Sequence, residues 1–95
     1  MFFVARFYDR EGSAKLRKKH LAEHLAWLAS QRALIPLAGS IRETAEATPL
    51  GGVWIISAEN RESAKALIEL DPFFIAGLRE RYELWHYFPA ANDML

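Results

Sequence analysis

The stretch Asp71-Pro72-Phe73-Phe74-Ile75-Ala76-Gly77-Leu78 decides how the second half of this chain is built. It separates a helical pattern, Arg61 to Leu70, from a strand-like run, Arg79 to Phe88. Pro72 fixes its own φ and lacks an N–H, which suits the first position of a new helical turn. Asp71 then occupies the N-cap, where its carboxylate accepts orphan backbone N–H bonds. A carboxylate held in this way is ionised and fixed in direction, which an orienting partner for a histidine requires.

Working outward, the elements alternate in type. Phe2 to Tyr8 is rich in aromatics and reads as a strand. Asp9 to Ser13 is a turn, with Ser13 as N-cap. Ala14 to Ala33 is helical, and Ala14, Leu21, Leu25 and Leu28 fall on one face at helical spacing. Leu34 to Ala45 reads as a strand bent by Pro36 and Gly39 and lying at an edge. Thr48-Pro49-Leu50-Gly51-Gly52 is a hairpin turn, and Val53 to Ser57 is a buried strand. Asn60 caps a second helix with Ala64, Leu67 and Ile68 inward. The tail from Pro89 carries no pattern.

The order is β-α-β-β-α-β, an α+β ferredoxin-like plan with both helices on one face of an antiparallel sheet. The opposite face would be polar if it met water. Instead Phe3, Ala5 and Phe7 alternate with Phe2, Val4 and Tyr8 in the first strand, and Leu84 and Phe88 with Trp85 and Tyr87 in the last. Two apolar faces with helices for only one leave a large exposed patch. A second copy packing sheet to sheet covers it, so the pattern predicts a homodimer.

Composition narrows the function. The 95 residues make one domain, residues 1–95, and with 52% apolar residues the core is thin for its size. Twelve basic and twelve acidic side chains balance to zero, whereas nucleic-acid binding calls for a basic excess or stripe. The absence of cysteine excludes disulfides and thiolate chemistry. The N-terminus has no signal-peptide pattern, and the longest apolar run, Leu50 to Ala58, is too short to span a bilayer. The expectation is a cytoplasmic protein without nucleic-acid or membrane partners.

His24 lies at the border of the apolar face of the first helix, beside Leu21 and Leu28. There it can point into a cleft, or serve as a half-buried core histidine bonded to a carbonyl. Asp71 can be a cap and nothing more. The roles are compatible, with one carboxylate oxygen capping and the other holding an imidazole N–H, which would make His24 a general base oriented by Asp71. Ser40 is a candidate substrate-binding hydroxyl, with no nucleophile-elbow motif around it. Phe73 and Phe74 read chiefly as core or interface, and are candidates to line an apolar pocket. His20 and His24 are four apart, but the intervening residues do not match a zinc motif and no further ligands cluster, so no metal is expected. Lys15-Leu16-Arg17-Lys18-Lys19 reads as a solvated basic face with some attraction for an anionic substrate. Leu16 and Trp27 fall outside the apolar stripe, marking a surface for assembly beyond the dimer.

Four pieces in order resemble the YciI-like family (YCII-related domain) of the dimeric α+β barrel class: His24-Leu25-Ala26-Trp27-Leu28, Ala38-Gly39-Ser40, Gly52-Val53-Trp54-Ile55 and Asp71 to Leu78. The resemblance implies a barrel-forming homodimer and a small cofactor-free enzyme in which His24 and Asp71 are an acid–base dyad. It also implies a small organic substrate, phenolic or quinol-like, since one branch of the family dehydrochlorinates chlorinated hydroxyquinols. Lyase or isomerase proton transfer fits these residues best. Leu21 stands where members often carry an arginine, which leaves room for a different substrate. A second reading is a non-catalytic ligand-binding or interaction module. A third is haem-dependent oxygenation, known among other dimeric α+β barrels, with His24 as axial ligand.

Overall fold

The computed structural model describes residues 1–91; the end of the patternless tail, 92–95, lies outside them. The elements are β1 (Phe2–Asp9), α1 (Ala14–Ser30), β2 (Leu37–Ile41), β3 (Gly51–Ser57), α2 (Arg61–Ile68), the single turn α3 (Pro72–Ile75) and β4 (Arg79–Tyr87). All strand pairs are antiparallel, in the order β2-β3-β1-β4. This is the α+β ferredoxin-like arrangement. No helix among the described residues is long and apolar enough to cross a membrane.

The two faces of the sheet follow from register, because directly paired residues share a face. Phe3, Ala5 and Phe7 pair with Ile56, Trp54 and Gly52 and are fully buried toward the helices. Ala64, Leu67 and Ile68 of α2 close that core. Val4 pairs with Ile55 and Trp85 on the opposite face, where Trp85 is 57% and Leu37 50% exposed.

The first helix departs from the pattern reading. Its sheet-facing stripe is not Ala14–Leu21–Leu25–Leu28. Leu21 and Leu25 are 39% and 54% exposed, whereas His24 is buried and Arg17, His20, Trp27 and Leu28 are half-buried. Leu16 and Trp27 belong to this inner stripe, and Trp27 packs against Trp54 at 5.7 Å between ring centroids. They are therefore not a separate contact surface. The helix ends at Ser30 rather than Ala33, because a tight turn from Gln31 accepts the Ile35 amide at 2.7 Å. β2 is shorter than Leu34 to Ala45; Pro36, which has no N–H for a ladder, stands just before its first residue.

Local capping holds the connections. Asn60 Oδ1 accepts from the Ser63 amide at 2.8 Å. Ser13 makes no cap bond; its hydroxyl donates to the Arg10 carbonyl. The turn α3 closes with Leu78 N–H on the Phe73 carbonyl and Gly77 N–H on the Phe74 carbonyl, both at 3.0 Å. This is a Schellman closure, which calls for a left-handed residue. Gly77 provides it at φ 81°.

A side chain at Gly77 would meet nothing within 4 Å, so Gly77→Ala isolates backbone strain. The variant should lose about 1 kcal/mol of stability in urea denaturation with an unchanged slope. An unchanged midpoint would mean that the turn re-forms without the left-handed residue.

Candidate active site

The Asp-Pro turn positions the carboxylate first. Asp71 Oδ1 accepts from the Phe73 amide at 3.1 Å, and Asp71 is fully buried. The same oxygen lies 2.6 Å from His24 Nδ1. One oxygen thus does both jobs, where the sequence reading divided them between two. Oδ2 is buried without a hydrogen-bond partner among the described residues. An ionised carboxylate can only accept, so Nδ1 is the donor in this contact, and in the neutral imidazole the free lone pair is then on Nε2.

The imidazole is held by aromatic walls as well. Phe73 stacks on it at 3.8 Å between centroids and 11° between planes, and Trp54 lies 6.4 Å away. Phe73 is therefore the backing of His24, fully buried. Phe74 turns the other way, edge-on to Tyr82 at 6.3 Å. Neither phenylalanine is among the residues that line the cavity beside His24. Ser40 does line it, with its hydroxyl accepting from Arg42 Nε at 3.2 Å.

That cavity measures about 210 Å³ and lies between α1, β2 and the start of β4. It is smaller than the roughly 300–1,000 Å³ of sites for drug-sized ligands, so it suits a small molecule. Leu21, Leu25 and Trp54 give it apolar walls, and Arg17, Arg42 and Arg79 line it with charge.

The arginines were not legible as site residues. Arg17 Nη2 donates to Asp9 Oδ2 at 2.6 Å, and Arg79 Nη1 donates to Asp9 Oδ1 at 2.7 Å. Both guanidinium groups approach the ring of Phe73, at 5.0 and 5.2 Å. Arg79 enters this cluster through a register shift. Tyr8 pairs with Arg81, but Asp9 pairs with Arg79, so Glu80 is the extra residue of a bulge. Regular alternation would place Arg79 with Arg81 on the open face; the slip turns it inward. Burial lowers the Arg79 pKa from its ordinary value, opposed by the hydrogen bond and charge of Asp9 and by the charge of Asp71. A guanidinium remains charged at neutral pH. The one available signal for Arg17 was position: it is seven residues before His24, on the same helix face.

His20 pairs with Glu23 at 3.5 Å, within its own helix. His86 packs on Phe3 at 4.6 Å.

An antiparallel α+β sheet carrying a buried His–Asp pair beside a small cavity defines the class of protein. The chain belongs to the YCII-related domain family, which it matches over residues 1–87. Among solved structures it is similar to a 5-chloro-2-hydroxyhydroquinone dehydrochlorinase from Burkholderia phenoliruptrix AC1100, in complex with 2,5-dihydroxybenzoquinone. Identity is 29%, coverage 93% of this chain and 94% of that one, and the TM-score 0.84. At 15% identity, 97% and 96% coverage and a TM-score of 0.55, SnoaB, a cofactor-independent oxygenase from Streptomyces nogalater, shares the fold. So does a NIPSNAP domain protein from Burkholderia xenovorans, at 20% identity, 97% coverage of both chains and a TM-score of 0.51. A search of curated proteins found no match.

Asp9 serves the buried Arg79 and the half-buried Arg17, so its removal leaves both without their shared partner. Asp9→Ala should cost about 3 kcal/mol in urea denaturation, the scale for breaking a buried ion pair. A loss under about 1 kcal/mol would assign the cluster the energetics of a surface pair.

Proposed function

We propose that this chain is a small cofactor-free enzyme that moves a proton on a phenolic or quinol-like molecule, with His24 as general base and acid and Asp71 as its orienting partner. The observation that carries this reading is the 2.6 Å contact between His24 Nδ1 and Asp71 Oδ1 at the wall of the cavity. With Nδ1 engaged, Nε2 is the nitrogen left to exchange a proton with a bound molecule. The carboxylate stabilises the imidazolium formed in that step. Phe73 and Trp54 flank the imidazole with apolar surface that strengthens electrostatic interactions.

Similarity to a dehydrochlorinase supports lyase chemistry. In such a reaction the chlorine-bearing ring carbon gains a proton, two hydroxyl protons leave, and the electrons released expel chloride to give the quinone, so HCl is lost in total and one acid–base group can serve both proton transfers. Isomerisation uses the same residue twice, with the proton returned to a different atom. The family's non-catalytic alternative assigns Asp71 to capping and His24 to packing. Capping and packing are both present, so the readings separate only in activity.

Chloride release from 5-chloro-2-hydroxyhydroquinone is the first assay, and hydrogen–deuterium exchange at ring carbons of hydroxyquinols tests proton transfer by itself. His24→Gln should reduce the rate on the order of 10²-fold or more. Asp71→Asn keeps an oxygen for the Phe73 amide and is a good N-cap, so melting should stay near wild type while turnover falls by a comparable factor. Full turnover in a folded Asp71→Asn protein would reduce Asp71 to a cap and reject the dyad.

The proposal includes a homodimer through the open sheet face. Phe2, Val4, Leu37, Ile55, Trp85 and Tyr87 share that face by register, with Trp85 57% exposed. Such a continuous apolar surface is unfavourable in water. Sedimentation equilibrium at micromolar concentration should give twice the 10.9 kDa chain mass. Val4→Asp, placed between Ile55 and Trp85, should shift the protein to monomer. A wild-type monomer would refute this assembly.

A further inference from the structure

Three arginines line the cavity beside His24, and no carboxylate does. Arg17 and Arg79 are partly neutralised, since they share the two oxygens of Asp9. Arg42 is different. It stands one residue past the end of β2, is exposed, and lines the cavity together with Leu21. Among the described residues its bonds go only to neutral acceptors: Nε donates to the Ser40 hydroxyl at 3.2 Å and Nη1 to the Ala47 carbonyl at 3.3 Å. These fix the direction of the guanidinium without cancelling its charge. Glu46 lines a neighbouring surface pocket to which Arg42 also contributes. It makes no ion pair with Arg42 among the described residues.

The lining therefore holds two chemically distinct groups. One is His24, with its own buried carboxylate partner in Asp71. The other is Arg42, a cation without a carboxylate partner among the described residues. We propose that the cavity takes a small planar molecule bearing an anionic oxygen, a carboxylate or phenolate, that Arg42 binds this oxygen, and that Ser40 acts as a positioning residue by holding Arg42 rather than by touching substrate. This rests on taking the His24 cavity as the substrate site.

The chemistry favours an anion. A guanidinium presents several N–H donors in a planar fork that matches a carboxylate or phenolate oxygen. A neutral phenol or amide gains only an ordinary hydrogen bond there, without charge assistance. Leu21 and Leu25 accommodate an apolar ring and offer no donors, and Trp54 adds an aromatic surface with a single neutral N–H. Charge recognition therefore falls to the arginines, of which Arg42 is the one without a carboxylate partner among the described residues.

The test uses benzoate and benzamide, matched in shape and different in charge, titrated into the full chain at low salt and followed by NMR. Benzoate should shift the Arg42 Nε–H and His24 imidazole signals saturably and bind about tenfold more tightly than benzamide. Arg42→Gln should remove that tenfold preference and leave benzamide affinity unchanged. Lys19→Gln, which makes the same change of net charge on an exposed part of α1, should leave the preference intact. Ser40→Ala should weaken benzoate severalfold, with recovery in Ser40→Thr, because only the hydroxyl is needed to hold Nε. Equal binding of the two probes, no saturable benzoate binding, or an unaltered preference in a folded Arg42→Gln protein would overturn the proposal. The catalytic reading fails separately. An Arg42-dependent benzoate site in a chain whose His24→Gln variant keeps full turnover upholds the anion site and rejects His24 as the acid–base group.

Discussion

A single carboxylate oxygen organises this molecule. Asp71 Oδ1 receives the Phe73 amide, which starts the turn α3, and it receives His24 Nδ1, which docks α1 against that turn. The first bond is local and follows from an Asp-Pro pair. The second crosses 47 positions of sequence and exists only if α1 packs with the correct rotation. A buried carboxylate needs its donors, because the charged form loses the hydration it has in water. The two bonds are thus coupled through one group: the cap places the carboxylate where the imidazole must find it, and the imidazole supplies a second donor. Phe73 reinforces this arrangement, since its amide caps and its ring stacks on the histidine.

This explains why α1 is rotated away from its hydrophobic pattern. Hydrophobic periodicity locates the buried face when burial is the dominant requirement. Here the inner stripe must also deliver Arg17 and His24, so Leu21 and Leu25 are displaced to the flank. They are not surplus there, because they form the apolar rim of the cavity. The compensation is found elsewhere in the core. Phe3, Phe7, Trp54, Ile56 and Ile68 are almost completely buried between sheet and helices. A small domain accommodates a polar cluster beneath one helix when its aromatics pack the remainder closely.

The topology, the Asn60 cap, the Asp71 cap and the edge position of β2 were legible because each depends on a local rule or on strand alternation. Ser40, which lines the cavity, stood out in the sequence only as a hydroxyl within a segment that resembles the family. The pairing of Asp9 with Arg79 was not. It depends on a bulge at Glu80, and a one-residue slip reverses the face that alternation assigns. Arg17 was lost within a run of basic residues that reads as solvated surface, although its neighbours Lys18 and Lys19 are indeed exposed. Arg42 lies beyond the last regular residue of its strand, where periodicity gives no direction. Phe73 and Phe74 were read as a pair, but successive residues on a helical turn point about 100° apart. Only the first can back the histidine.

The bulge also ties the two sides of the sheet together. Tyr8 and Asp9 are consecutive and face opposite ways. Tyr8 lies on the open face, hydrogen-bonded to Glu83 at 2.8 Å and covered by the guanidinium groups of Arg6 and Arg81, at 3.9 and 3.6 Å from its ring. Asp9 lies on the helix side, between Arg17 and Arg79. Register at the Tyr8–Asp9 junction is therefore fixed from both faces by charged groups. A bulge can slip where neither face specifies its position, and here each possible slip would expose a buried ion pair or break the Tyr8 stack. The two interactions select the same register, and that register is what turns Arg79 toward His24 and Asp71. The electrostatics of the site thus depend on a backbone irregularity that is held in part by residues on the opposite surface of the sheet.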